Sequence, residues 1–232
     1  MSNRPNTAKH GRVPRRVAAA QETQQRSLLQ SPILWVGAII LIAAIVAIAV
    51  SSSGDDSVAT SDVDETAFAE IIGDPLSPFA TPDSSIGAEA PQLIAQTLDG
   101  DRAQIRPGDG VARVIVFLAH WCSHCQAELP GIVDWMASND IPDGVEIMAV
   151  STSVDSSADN YPPSAWLTRE GFTGTVLIDS EDNALAQGYG LGSFPFGTAV
   201  GADGSVLTRW AGEIPTEQFG AVVAAAAATV GG

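Results

Sequence analysis

Cysteine and basic residues are scarce in this chain of 232 residues: two Cys, and eleven Lys plus Arg. Two thiols exclude a disulfide-dense miniprotein and any zinc site built from four cysteines of one chain. Whatever the thiols do, they do as a pair. Eleven bases against 27 acids leave a formal charge of −16 and a pI near 4.2, a balance that repels phosphate backbones and argues against nucleic acid as a partner. No internal repeat is present. With 45% hydrophobic and 16% charged residues, the composition fits one folded domain of ordinary size plus appendages and excludes collagen-like or wholly disordered chains.

The charge is split along the chain. Arg4, Lys9, Arg12, Arg15, Arg16 and Arg26 precede residue 33, where Glu22 is the one acid, so the rest carries 26 acids and 5 bases. Residues 1–32 therefore read as a basic tail. The run ILWVGAIILIAAIVAIAV at 33–50 has 18 uncharged apolar residues, which at 1.5 Å each span about 27 Å, enough to cross a bilayer. Positive charge on its amino side places residues 1–32 in the cytoplasm and everything after Val50 outside it. Ala47-Ile48-Ala49 offers a cleavage pattern for a signal peptide, but the basic leader is long and the run exceeds the about 7 to 15 residues of a signal core. A retained single-pass anchor is the expectation. Residues 51–85, rich in Ser, Asp, Thr and Pro and free of bases, read as a solvated tether with a short helix over Ala67–Ile72.

The folded unit is expected over 86–232. Strands are predicted at Pro91–Thr97, Ala112–Ala119, Val145–Val150 and Thr175–Ile178, and helices at Ser123–Met136, Ala165–Glu170 and Glu181–Tyr189. A hairpin of Thr198–Val200 with Val206–Trp210 turns at Ala202-Asp203-Gly204, and a helix over Thr216–Val230 closes the chain. Strand and helix alternate before the hairpin, which predicts an α/β fold with a central mixed sheet flanked by helices. The segment from Asp179 to Gly190 is acidic but lacks the Gly and Glu that the sixth and twelfth positions of a calcium loop require.

The chemistry is concentrated in FLAHWCSHCQAELP, residues 117–130. Cys122 and Cys125, three apart, share one face of a helix, and the leading thiol lies over unpaired backbone N–H groups of the first turn. Those donors and the helix dipole stabilise a thiolate, so an exposed Cys122 is the expected nucleophile and a buried Cys125 the resolving thiol. The four residues His120, Cys122, His124 and Cys125 also form a possible copper or zinc set, although a strand-to-helix turn points them apart; no metal site is expected.

These residues resemble the membrane-anchored, thioredoxin-like thiol-disulfide oxidoreductases of the TlpA and ResA type. The likeness runs from 86 to about 225 through Ile86-Gly87, Ala90-Pro91, Asp99-Gly100, W-C-x-x-C at 121–125, Glu128, Pro130, Ala186 to Gly190, Ser193-Phe194-Pro195 and Asp203-Gly204. It implies a thioredoxin-like fold with an extra strand and helix inserted before a cis-proline at Pro195. It also implies disulfide exchange with protein substrates through the Cys122/Cys125 dithiol and no separate cofactor. A transmembrane thiol carrier is the implied electron source, and apocytochrome c maturation a typical use. Glu128 matches the acid such proteins place beneath the site, where it takes the proton of Cys125; six positions before Cys122, where a minimal thioredoxin has a buried Asp, this chain has Val116. Phe194 is implied to present its backbone to a substrate, with Trp121 and Phe196 framing an apolar docking surface. His124 departs from the Pro of reductive members and matches oxidants of the DsbA type, in which the imidazole bonds the Cys122 sulfur; a reductase and a disulfide-forming oxidant are both compatible with that residue. His120 is expected on the rim of the site, and no T-x-x-C motif points to a peroxidase.

Overall fold

The computed structural model describes residues 64–231. The basic tail, the apolar run and the first part of the tether lie outside the described residues. Among the described residues, no helix is long and apolar enough to cross a membrane. The elements in chain order are β1 (Glu70–Ile72), β2 (Gln92–Thr97), β3 (Arg102–Ile105), β4 (Ala112–Leu118), α1 (Ser123–Ser138), β5 (Val145–Ser151), α2 (Pro163–Glu170), β6 (Thr175–Ile178), α3 (Ala184–Gly188), β7 (Phe196–Val200), β8 (Val206–Ala211) and α4 (Thr216–Ala227).

One mixed sheet runs β1-β2-β6-β5-β4-β7-β8, with β3 paired to β2. The β4/β5 and β5/β6 pairs are parallel, joined by helices, whereas β4/β7 and β7/β8 are antiparallel. Every residue of β4 is buried, as a strand covered on both faces requires. Its alternate side chains feed two cores. Ala112, Val114, Val116 and Leu118 meet Leu129 and Ile132 of α1, Trp166 and Leu167 of α2, and Phe219 and Val223 of α4. Ile115 and Phe117 point the other way, towards Leu93, Leu185 and Tyr189. Each such large side chain contributes roughly 1.5–3 kcal/mol by leaving water. The inserted β6 and α3 lie between α2 and the residue Pro195, as the resemblance implies.

Residues 64–85 are not a tether. Where a helix is expected over Ala67–Ile72, β1 instead pairs antiparallel with β2, matching Ile71 to Leu93. Ala69 and Leu76 are buried, and the buried carboxylate of Glu65 accepts the N–H of Ser164 at 3.2 Å. Arg209 supplies the physical reason for the rest of the wrap. Its side chain has no exposed surface and pairs with Asp83, and it donates to the carbonyls of Ser77 and Tyr189, each at 2.9 Å. Gly190, at φ 72, permits this: a Cβ there would stand 2.3 Å from the Ser77 carbonyl. The helix expected over Glu181–Tyr189 is shorter because Asn183 is left-handed (φ 60). The Asp179 carboxylate accepts the N–H groups of Leu185 and Ala186, which is a capping role.

Candidate active site

The chain leaves β4 at Leu118 and enters α1 at Ser123, with Cys122 as the N-cap. The Cys122 Sγ accepts the N–H of Cys125 at 3.4 Å, so the leading sulfur satisfies one of the donors that a helix start leaves free. Cys122 is only 7% exposed, narrower than the open thiol expected, because it is packed into the hydrophobic core. Cys125 is fully buried. Burial pushes its thiol far up, and the charges of Cys122 and Glu128 push the same way. Both cysteines are free thiols.

Glu128 follows Cys125 by three residues, which on a helix is the same face, and it is 6% exposed. Burial above all pushes its carboxyl up to about 7, and the nearby Glu213 carboxylate adds to the rise. The N–H of Ile214, donating to Oε1 at 3.0 Å, pulls the other way. The Trp210 indole opposes the rise least; its Nε1 and the Glu128 Oε2 are both buried without a hydrogen-bond partner. Val116 is fully buried and apolar, so Glu128 is the carboxyl at hand for the inner thiol.

Two histidines depart from expectation. His124 does not bond the Cys122 sulfur: its side chain is 70% exposed and its Nδ1 lies 2.5 Å from Oε1 of Glu213. Residues two apart on a helix do not share a face, so the ring turns away from the capping sulfur. His120 is not a rim residue but 1% exposed. Its Nδ1 donates to the Asp159 carbonyl at 2.8 Å and its Nε2 accepts the Asp155 N–H at 3.2 Å. A carbonyl only accepts and an amide only donates, which fixes the neutral tautomer with the proton on Nδ1. The possible set His120, Cys122, His124 and Cys125 therefore does not converge. Among the described residues no three His, Cys, Asp or Glu side chains gather as a metal ion would need.

The aromatic frame divides as well. Trp121 is 42% exposed, donates Nε1 to the Ser153 carbonyl at 2.7 Å, and meets Phe194 edge to face with centroids 5.8 Å apart. The Phe194-Pro195 bond is cis, as the resemblance implies. Phe196 is not on the docking surface. It is fully buried, packed on Phe117 and Phe79, because alternation along β7 sends it through the opposite face of the sheet.

Sequence reasoning missed Trp210, Glu213 and Ile214, which approach α1 from about 85 residues further along the chain and carry no local signature. Gly197 offered an indirect one. A glycine inside a buried strand marks a close approach, and a Cβ at Gly197 would lie 2.0 Å from Cζ2 of Trp210.

Comparison with known proteins identifies the family and the fold. The thiol-disulfide oxidoreductase ResA of Bacillus anthracis is 27% identical over 135 residues, covering 58% of this chain and 74% of ResA. The thiol:disulfide interchange protein HelX of Rhodobacter capsulatus is 29% identical over 143 residues, covering 59% and 74%. Among solved structures, a thiol:disulfide interchange protein DsbE from Chlorobium tepidum superposes with a TM-score of 0.52 at 22% identity, over 61% of this chain and 97% of that one. That likeness shows a thioredoxin-like α/β fold, with a mixed sheet flanked by helices. The family model that matches, over residues 86–204, is AhpC/TSA, and the chain belongs to the AhpC/TSA family.

Proposed function

We propose that this protein is a thiol-disulfide oxidoreductase acting on protein substrates, and that it runs as a reductase. The observation that carries the reading is the pairing of a sulfur that caps a helix with a buried sulfur one turn on, beside a carboxyl held at about 7. The names of ResA and HelX support thiol-disulfide exchange, in either direction.

In the reductive direction the Cys122 thiolate attacks one sulfur of a substrate disulfide. The substrate S–S bond breaks, one substrate cysteine leaves as a thiolate, and a mixed disulfide joins Cys122 to the other. The Cys125 thiol then gives its proton to Glu128 and its sulfur attacks Cys122. A Cys122–Cys125 disulfide forms and the second substrate cysteine departs as a thiolate, so two electrons have passed from the dithiol to the substrate. Burial makes Cys125 a reluctant acid, and a base at about 7 is near the operating pH at which proton transfer is most effective. Trp121 and Phe194 supply the apolar surface on which the substrate docks. Both electrons come from the dithiol itself.

Regeneration needs an external dithiol, and we assign it to a transmembrane thiol carrier. The 18-residue apolar run behind a basic leader supports an anchored chain with this domain outside the cytoplasm; apocytochrome c thiols are then a fitting substrate. The decisive experiment is the reduction potential of the Cys122/Cys125 couple together with turnover of a protein disulfide. A value near about −300 mV with Cys122-dependent reduction supports the reductase; one above about −150 mV identifies a disulfide-forming oxidant. Turnover that survives Cys122→Ser would sink both.

A further inference from the structure

We infer that Glu213 is a positioning residue that couples His124 to the proton acceptor Glu128, so that the charge of His124 acts on the inner half of the exchange and not on the Cys122 sulfur. The inference rests on the relay just described.

Three successive residues after β8 touch three parts of the site. Gly212, at φ 87, donates its N–H to the Pro195 carbonyl at 2.8 Å. Glu213 sends its carboxylate outward to His124 at 2.5 Å. Ile214 turns its N–H inward onto Oε1 of Glu128 at 3.0 Å. Pro215 then N-caps α4 and fixes the exit of the chain. The side chain of Glu213 and the main chain of its neighbour thus tie one solvent-facing group and one buried group to the same short segment. His124 precedes Glu128 by four residues on α1, so both anchors sit on one helix and the segment bridges them.

The groups that act on Glu128 are few. From its own helix comes Cys125, from β8 the Trp210 indole, and from the bridging segment the Ile214 N–H and the Glu213 charge. Glu213 is the charged one that is not a reacting group. A protonated His124 offsets the Glu213 charge, which eases ionisation of Glu128. Without a cationic partner the Glu213 charge is uncompensated, and Glu128 holds its own proton more tightly. Opposite changes at His124 and Glu213 therefore move Glu128 in opposite directions.

The test is the titration of Glu128 in the full chain, followed by the ¹³C resonance of its carboxyl, which is assigned by its loss in Glu128→Gln. Glu213→Gln keeps the length and an acceptor oxygen for His124 while removing the charge; the Glu128 midpoint is expected to fall from about 7 by roughly half a unit to one unit. His124→Gln is expected to raise it, and to leave it in place when combined with Glu213→Gln. In a Cys125→Ser background, the pH profile of Cys122 alkylation should not move with His124→Gln. A Glu128 midpoint indifferent to Glu213→Gln, a His124 effect that persists without Glu213, or an alkylation profile that follows His124 would each overturn the coupling. If Glu213→Gln fails to fold, the single His124→Gln titration decides. Failure of the oxidoreductase reading is seen separately, in turnover that does not need Cys122, whereas these midpoints are read without substrate.

Discussion

Glu128→Gln should flatten the pH dependence of folding while it slows resolution of the mixed disulfide. In the folded protein this carboxyl titrates at about 7, against an ordinary value of 4.5. Between these values the folded protein keeps a proton that the unfolded chain has released, so stability falls as pH rises through the window, is unpenalised below it and fully penalised above it. At about 1.36 kcal/mol per pH unit, the loss across the window is about 3 kcal/mol. For a domain of this size that corresponds to roughly 6–12 °C in melting temperature. Glutamine cannot ionise. Any constant cost of burying its amide beside the Trp210 indole displaces the whole curve and leaves the slope untouched. Denaturant unfolding of the reduced protein, variant against wild type, from about pH 4.5 to about pH 8, should show the difference moving in favour of the variant by ~3 kcal/mol. Parallel curves would refute the raised carboxyl and, with it, the reason for assigning Glu128 the proton of Cys125.

Cys125→Ser should accumulate the Cys122–substrate mixed disulfide, visible as a band on a non-reducing gel that a thiol reductant removes; a variant that turns over without such a band would argue against the two-step exchange. Trp121→Ala removes an edge-to-face contact with Phe194 worth about 0.5–1.5 kcal/mol, so KM for a protein disulfide should rise about two- to tenfold while a small disulfide is reduced as before. Gly197→Ala drives a methyl into the Trp210 ring; overpacking of this kind costs about 1–3 kcal/mol, measurable by denaturation and by altered tryptophan fluorescence. Arg209→Met leaves Asp83 and the carbonyls of Ser77 and Tyr189 without their partner, a loss of about 3–5 kcal/mol, and limited proteolysis should then cut between Ser77 and Asp83 more readily than in the wild type.

The sequence alone determined the elements whose information is local. Nearly continuous apolar runs marked β4 and β5 as buried strands in spite of Arg113 and Glu146 within them, and the spacing of Cys122 and Cys125 placed both on one helical face. The same logic failed wherever the deciding contact was distant. Residues 64–85 have the composition of a solvated linker; pairing with β2 turns their first part into a strand, and Arg209, some 126 residues beyond Asp83, holds the rest as a wrap. Phe196 reads as a docking aromatic beside Pro195, yet the face of the sheet onto which it falls is set by the pairing of β7 with β4 and β8. His124 reads as a partner for the Cys122 sulfur until the chain returns with Glu213 to hold it. Short-range periodicity is written in neighbouring residues, because helix and strand geometry repeat over a few positions. Burial, the rise of the Glu128 carboxyl and the choice of hydrogen-bond partners depend on which remote segments exclude water from the site, and tertiary packing decided those.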